Sequence, residues 1–164
     1  MPESLKIDSR FAHSELSYLR TILQSDLPEV MKIEKSAYQF PWSQKGFENS
    51  LDQGLNYLFC DVDDQVLGYC CLLTVLDEAH LLNFCIRSEC QGQGLAKLAF
   101  SELKKHLLDA NFQLILLEVR ESNLRAKKLY QQLGFKEDGV RKNYYAAEDG
   151  KEDAILMSLP LRNL

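Results

Sequence analysis

The sequence predicts an α+β fold, in which helices pack on one mixed and mostly antiparallel sheet. Two patterns lead to this class. In the second half of the chain, strand-like apolar runs alternate with helical patterns, whereas the first half contains two strand-like runs joined by a short Asp63-Asp64 turn, as in a hairpin. The chain has 164 residues, of which 46% are hydrophobic, and this is enough for one domain with its own core.

The first half is predicted to start with a flexible N-terminal extension over residues 1–15, because that stretch is polar and of mixed charge. The folded domain is then expected over residues 16–164. Asp26 and Ser43 each precede a helical pattern and are predicted to cap it. The elements predicted here are a strand, two helices and the two strands of the hairpin: Leu16–Leu23, Leu27–Tyr38, residues 43–54, Asn56–Val62 and Gln65–Val75.

The second half is predicted to contain four strands and two helices. The apolar run Leu114–Val119 is typical of a strand that is covered on both faces. Gly134 is well placed to end a helix, and a loop with an Asp149-Gly150 turn is expected before the last strand. The predicted elements are, in order, Ala79–Arg87, a helix from the turn at residues 91–97 to about Asp109, Leu114–Val119, Asn123–Leu133, Phe135–Val140 and Ala154–Leu159.

Composition limits the classes of partner. The formal net charge of −5 disfavours non-specific binding of nucleic acid, which depends on a basic surface. No apolar run approaches the roughly 20 residues of a membrane helix, and the N-terminus lacks the apolar core of a signal peptide. The three histidines are scattered without metal-ligand spacing, so no metal is predicted. The five cysteines form no CxxC pair and fall mostly in apolar runs, which favours buried, reduced thiols in a cytoplasmic protein.

The turn over Gln91–Lys97 is the most informative segment. A glycine-containing turn between a strand and a helix can direct several backbone N–H groups at one anion, and the helix dipole adds about half a positive charge there. A Walker A loop would need Gly-Lys-Ser/Thr, but Gly94 is followed by Leu95. A dinucleotide fingerprint would need a third glycine where Lys97 stands, and the hairpin in the first half disagrees with a repeated βαβ architecture.

Gln91, Gly94 and Ala96 fit a third pattern, Q/R-x-x-G-x-G/A, which resembles the pyrophosphate loop of the GNAT acetyltransferases. The segment Asn123–Phe135 resembles the second signature of that family, N-x-x-A-x-x-L-Y-x-x-x-G-F, at the right distance along the chain. The resemblance covers the chain from about Leu16 to its C-terminus. It implies the GNAT fold, a transferase activity and acetyl-CoA as cosubstrate.

Further segments are similar to the RimI family of ribosomal-protein-alanine N-acetyltransferases. The resemblance implies that the substrate is the N-terminal alanine α-amine of the eighteenth small-subunit ribosomal protein. Other protein N-termini, lysines or small amines remain alternatives, as does a non-catalytic acyl-CoA-binding module. The chain departs from the family at Gly92, where arginine is frequent, and at Ala96, where glycine is frequent. The similar segments are Ala37–Ser43, Leu76–Ala79, Leu117–Arg120, Asn143–Tyr145 and Asp149–Ala154.

The resemblance also implies the residues that bind the cofactor. Backbone groups before the turn would pair with the pantetheine arm and polarise the thioester carbonyl, the turn would bind the pyrophosphate, and a helix-start asparagine would either cap its helix or hydrogen-bond the cofactor. These residues are Phe84, Cys85 and Ile86, then Gly92, Gln93, Gly94, Leu95, Ala96 and Lys97, and finally Asn123.

Acetyl transfer to an amine needs a base for the ammonium proton and an acid for the departing thiolate. Glu118 interrupts an apolar strand, where partial burial would raise its pKa; a strand-end glutamate that is exposed or paired with Arg120 fits the pattern equally well. The resemblance assigns the base role to Glu118. It assigns the acid role to Tyr130, which the helical pattern alone would make a packing residue.

The peptide site is the part that the sequence defines least. Trp42 follows Pro41, and Tyr144 stands next to Tyr145. These aromatic side chains are candidates to flank the entry of an N-terminal peptide, and packing in the core or at its rim explains them equally well. The predicted partner is the N-terminal peptide of a ribosomal protein, with no nucleic acid and no membrane.

Overall fold

The computed structural model describes Phe11 and residues 13–162, and these residues form seven strands and four α-helices. The α+β class predicted from the sequence is confirmed. The elements are β1 (Tyr18–Thr21), α1 (Leu27–Ala37), α2 (Gln44–Gln53), β2 (Leu55–Cys60), β3 (Val66–Val75), β4 (Glu78–Ile86), α3 (Leu95–Asp109), β5 (Leu114–Arg120), α4 (Leu124–Gln132), β6 (Lys136–Ala147) and β7 (Gly150–Pro160).

The strands form one mixed sheet in the order β1-β2-β3-β4-β5-β7-β6. Strand β4 pairs with β5 in parallel, with Leu81 opposite Leu117. Antiparallel pairing joins β1 to β2, β5 to β7 and β6 to β7. The parallel pair requires a crossover connection, which α3 provides.

The described residues divide into two compact units. The first unit comprises the described residues up to Cys71 together with Asn83–Leu103. Its core is built from α1, α2 and strands β2 to β4, because the apolar residues of α1 recur at helical spacing and cover one face of the strands. This core contains Ile22, Leu27, Val30, Ile33, Phe47, Leu58, Cys60, Val66, Tyr69, Cys71 and Cys85.

The second unit comprises Leu72–Leu82 together with the described residues from Lys104. Its centre is the ladder of β5 and β7, in which Leu117 faces Met157. Burial alternates along β5: Ile115, Leu117 and Val119 are buried, whereas the residues between them are only partly buried. The prediction that both faces of this strand are fully covered is therefore wrong for one face.

Several helix ends follow the predicted chemistry. The Ser43 hydroxyl accepts a hydrogen bond from the Gly46 N–H at 3.1 Å and caps α2. Gly134 ends α4 with a φ of +102°, the left-handed conformation expected there. Asp26, by contrast, makes no side-chain cap to α1. Its carboxylate accepts from the Leu23 N–H at 2.8 Å and pairs with Arg20 at 2.9 Å, which holds the pKa of Asp26 below its ordinary value.

The largest departure from the predicted elements lies in the last two strands. The loop expected between residues 140 and 154 is instead a continuation of both strands, and Ala147 pairs with Gly150 at the hairpin end. The register shifts between Arg141 and Tyr145, and Asn143 in that bulge has a φ of +53°. The first part of β6 was predicted as the strand Phe135–Val140, but the polar, exposed residues after Val140 have no alternating pattern from which its continuation could be predicted.

The predicted N-terminal extension lies mostly outside the described residues. Phe11 belongs to the described part of that extension, and it is buried, with 2% of its surface exposed. Among the described helices, none is long and apolar enough to cross a membrane. The described part of the chain also contains no group of three or more histidine, cysteine or acidic residues that could hold a metal ion.

Candidate active site

The glycine turn has an open, left-handed backbone. Gly92 and Gly94 have φ values of +81° and +79°, which side-chain-bearing residues rarely adopt. A Cβ atom built on either residue would have nothing within 4 Å, so the backbone of the turn is approachable. Helix α3 begins at the next residue, Leu95.

This turn fits the pyrophosphate of a nucleotide cofactor. The φ values orient the peptide units of a tight turn, and the N-terminus of a 15-residue helix contributes positive potential at the same point. Leu95 is buried, so its contribution would come from its backbone. Lys97 is exposed on the first turn of α3, whereas Ala96 is partly buried.

At the end of β4 the side chains are buried, and two backbone carbonyl groups accept hydrogen bonds from side chains of other segments. Phe84, Cys85 and Ile86 are all buried. The Phe84 carbonyl accepts a hydrogen bond from the Tyr38 hydroxyl, and the Ile86 carbonyl accepts one from the Gln91 side chain at 2.9 Å. Burial raises the pKa of Cys85 to about 12, which agrees with a space-filling thiol rather than a nucleophile.

A buried glutamate organises the neighbourhood of α1. Glu34 is 1% exposed, and its Oε1 accepts hydrogen bonds from the Tyr69 hydroxyl and the Asn83 side chain, both at 2.8 Å. Its Oε2 accepts from the Trp42 backbone N–H at 3.0 Å. One carboxyl group thereby connects α1 to β3, to β4 and to the segment that follows α1.

Glu118 lies on the less buried face of β5. Its side chain is 29% exposed, and its Oε1 lies 3.2 Å from Nη1 of Arg141, whose side chain is 53% exposed. Hydrogen bonding to Glu118 raises the pKa of the Tyr144 phenol above its ordinary value. The Arg141 guanidinium also lies over the Tyr144 ring, 4.9 Å from its centroid. These three residues form a cluster that we call the Glu118 cluster.

Arg120 pairs with an acidic residue other than Glu118. Its Nη1 pairs with Glu152 at 2.9 Å and donates to the Ala146 carbonyl at 2.7 Å. The pairing with Arg141 follows from the strand extension and bulge of β6, which the sequence did not predict.

Helix α4 carries the other two predicted residues of this unit. The Asn123 Oδ1 accepts from the Ala126 N–H at 3.1 Å, so this residue caps the helix. Tyr130 is partly buried, and its ring makes an edge contact with Phe135 at a centroid distance of 5.5 Å. The packing role that the helical pattern predicts for Tyr130 is therefore present. It involves the aromatic ring, whereas the predicted acid role would involve the phenolic hydroxyl.

The two candidate peptide contacts differ in environment. Trp42 is partly buried, with its ring 5.1 Å from that of Phe47. Tyr144 is exposed and makes an edge contact with Tyr145 at 4.9 Å. Tyr144 therefore belongs to the Glu118 cluster and stays a candidate peptide contact, whereas Trp42 is tied to the Glu34 carboxyl through its backbone.

Sequence reasoning missed Glu34 and Arg141. A signal for Glu34 was present, since positions 27, 30, 34 and 37 share one helical face with the apolar stripe of α1. No comparable signal existed for Arg141, because its role depends on the register shift in β6. The predicted site residues fall in both units: the turn and the end of β4 belong to the first, and Glu118, Asn123, Tyr130 and Tyr144 to the second.

Comparison with known proteins identifies a family and close relatives. The acetyltransferase (GNAT) family matches residues 27–135 of this chain. The [ribosomal protein bS18]-alanine N-acetyltransferase of Escherichia coli K12 is 37% identical over 148 residues, which cover 89% of this chain and 99% of that protein. The protein of the same name from Haemophilus influenzae is 38% identical over 146 residues, covering 87% of this chain and 98% of that protein.

Solved structures agree with this assignment. The crystal structure of the ribosomal-protein-S18-alanine N-acetyltransferase from Escherichia coli superposes with a TM-score of 0.81 and 36% identity, covering 90% of this chain and 95% of that one. A spermidine N-acetyltransferase from Vibrio cholerae in complex with CoA and spermine has a TM-score of 0.75 at 19% identity, over 88% of this chain and 95% of that one. At that identity the second likeness concerns the fold alone.

Proposed function

The chain belongs to the acetyltransferase (GNAT) family, and we propose that it transfers the acetyl group of acetyl-CoA to the N-terminal alanine α-amine of ribosomal protein bS18. One observation carries the proposal. The chain is 37% identical to the Escherichia coli enzyme of that name, and the match covers 99% of the enzyme's length. A match of this extent includes the whole catalytic domain rather than a shared cofactor motif.

The residues that would hold acetyl-CoA are those of the glycine turn and the end of β4. Gly92, Gln93, Gly94 and the first turn of α3 would bind the pyrophosphate through backbone N–H groups. When bound, acetyl-CoA supplies a thioester carbon that an amine can attack. The left-handed backbone and the open space at Gly92 and Gly94 support this assignment, because they leave the backbone of the turn approachable.

Glu118 would take the proton that the α-ammonium group must lose, directly or through a water molecule. An α-amine has a pKa of about 8, so roughly a tenth is already neutral at pH 7, whereas a lysine amine with a pKa of about 10.4 is neutral several hundredfold less often. A modest base is therefore sufficient for an N-terminal substrate. Arg141 does not block this role, because an ion pair with a half-exposed guanidinium is worth about 1 kcal/mol or less and an incoming ammonium can replace it.

Tyr130 would provide the proton for the departing thiolate. Its phenol is carried by α4, whose start is fixed by the Asn123 cap. As the new C–N bond forms and the C–S bond breaks, the phenolic proton would pass to the sulfur, and the second proton that the attacking nitrogen loses would restore the phenol through solvent. Direct transfer of this kind needs no acyl-enzyme, in agreement with the buried Cys85 thiol.

The proposed substrate defines the partner and the location. The enzyme would bind the N-terminal peptide of a ribosomal protein, without direct contact to nucleic acid or membrane, and would act in the cytoplasm. Tyr144 of the Glu118 cluster and Trp42 would flank the peptide. No metal takes part in the proposed reaction.

A peptide panel tests the function. Purified protein is incubated with acetyl-CoA and with three peptides: the N-terminal sequence of bS18 from its alanine, the same peptide with a blocked α-amine, and an internal peptide with a single lysine. Mass spectrometry should find one added acetyl group on the first peptide and none on the second. Equal kcat/KM for the lysine peptide would reject the proposed specificity, and acetyl-CoA binding without transfer to any peptide would favour a non-catalytic module.

A further inference from the structure

The first described residue of the chain packs against the segment that leads into the glycine turn. Phe11 is 2% exposed, and the Arg87 guanidinium carbon lies 4.1 Å from the centroid of its ring. Arg87 directly follows β4 and precedes the turn by four residues. An aromatic ring stacked on a cation is stabilising, and more so when the pair is desolvated.

The Arg87 guanidinium that stacks on Phe11 is held in place by three polar partners. The Arg87 side chain is 13% exposed, and its Nε lies 2.6 Å from Glu89. Its Nη1 donates to the Val66 carbonyl at 2.7 Å and pairs with Glu29 at 3.2 Å. Phe11 therefore docks on a fixed surface of the first unit rather than on a mobile side chain.

The backbone of the same segment reaches the turn itself. The Phe11 carbonyl accepts a hydrogen bond from Nε2 of Gln93 at 3.3 Å, and it also accepts one from the Ser14 hydroxyl at 3.1 Å. The Cys90 thiol in turn lies 3.7 Å from the Ser14 hydroxyl oxygen. Gln93 stands between the two left-handed glycines, so this contact is made at the centre of the phosphate-binding backbone.

A turn with two glycines is costly to order, because glycine loses more conformational freedom than any other residue. A Cβ atom built on Gly92 or Gly94 would meet nothing within 4 Å, so side-chain packing at these two positions does not contribute to the order of the turn. Contacts that order such a turn before the ligand arrives reduce the entropy lost on binding. The Gln93 side chain is the point at which the N-terminal segment supplies such a contact.

We propose that Phe11 and Ser14 together form a positioning element that orders the glycine turn and thereby strengthens the binding of acetyl-CoA. The inference rests on the proposed function, since it takes the turn to be the cofactor site.

The test uses the full chain with Phe11→Ala, and it measures the Kd for CoA by calorimetry together with kcat and KM for both substrates. The Kd and the acetyl-CoA KM should rise roughly three- to tenfold, because one ordering contact is worth about 0.5–1.5 kcal/mol. The peptide KM, and kcat at saturating acetyl-CoA, should stay within about twofold of the wild type. Ile22→Ala is the matched control, since Ile22 is a buried residue in the hydrophobic core of the same unit.

A double-mutant cycle with Gln93→Ala tests whether Phe11 acts on the turn through the Gln93 side chain. If the segment acts through Gln93, the effect of Phe11→Ala on the Kd should be smaller in the Gln93→Ala background than in the wild type. Strictly additive effects, an unchanged Kd for Phe11→Ala, or an equal rise for Ile22→Ala would each overturn the inference and leave the proposed function in place. Failure of the wild-type protein to bind CoA at all would overturn both.

Discussion

At the scale of single residues, Glu118 is a candidate base whose carboxylate is paired with a guanidinium group. Glu118 is paired with Arg141 and accepts a hydrogen bond from Tyr144, so its position on β5 is fixed by two side chains from β6. The carboxylate is partly exposed and a substrate ammonium can approach it.

Glu118→Gln should lower kcat at neutral pH by about 10²-fold or more, because an amide cannot accept the ammonium proton. The Kd for CoA should change little. Glu121→Gln is the control, since Glu121 is an exposed acid three residues further along the chain. Steady-state kinetics and calorimetry on both variants provide the measurement. A Glu118→Gln enzyme with wild-type turnover would exclude this residue as the base.

At the scale of elements, the helices and the buried strands follow from the sequence, whereas the part of β6 after Val140 does not. Strands β3 and β4 are apolar, and α3 and α4 have clear stripes and end signals, so their predicted bounds agree with the structure to within a few residues. Strand β6 is exposed along most of its length, and its stability comes from pairing with β7 rather than from its own pattern. Sequence motifs predicted the glycine turn, Glu118 and Tyr130. They did not predict Arg141 as the partner of Glu118, because its position depends on the bulge in β6.

A substitution in the glycine turn tests the effect of backbone strain separately from the effect of steric crowding. Gly94→Ala meets no atom within 4 Å but must keep a φ of +79°, at a cost of about 1–2 kcal/mol for a side-chain-bearing residue. The variant should relax the turn and raise the acetyl-CoA KM several-fold, with a smaller effect on the peptide KM. Gly139→Ala is the control, because Gly139 also has open space and its φ is not in the left-handed region. Equal KM values for the two variants would contradict a role of the turn geometry.

The segment between α1 and α2 gives a second prediction at this scale. In Glu34→Gln the amide oxygen can still accept from Tyr69 and Asn83, but the amide nitrogen would then face the Trp42 N–H. One unsatisfied buried donor costs about 1–3 kcal/mol, so Tm should fall by roughly 5 °C. If Trp42 flanks the peptide, the peptide KM should rise while the CoA Kd stays unchanged.

Differential scanning calorimetry and peptide kinetics check the Glu34 prediction. Glu48→Gln is a suitable control, because Glu48 lies on α2 and, among the described residues, accepts hydrogen bonds from the side chains of Gln24 and Gln44, which an amide oxygen can still satisfy. A Glu34→Gln protein that is as stable as the control would show that the carboxyl group does not organise this segment.

At the scale of the whole molecule, the cysteines connect the fold to its behaviour in alkaline solution. All five are buried, without disulfides, as predicted from their positions in apolar runs. Burial raises the pKa of Cys60 to about 11 and the pKa values of Cys71 and Cys85 to about 12, from an ordinary value of 9.0. The thiols therefore stay protonated in the folded protein at pH values where the unfolded chain has lost those protons.

The sign of the pH dependence follows from this difference. Above pH 9 the unfolded state binds fewer protons than the folded state, so the free energy of unfolding decreases as pH rises toward 11 or 12. Each such thiol contributes up to about 1.4 kcal/mol per pH unit within that window. Denaturant unfolding under reducing conditions, compared at about pH 8 and about pH 10.5, should reveal the loss. Cys85→Ala removes one of these groups, so its stability should fall less steeply with pH than that of the wild type, and identical slopes would assign the alkaline loss to groups other than this thiol.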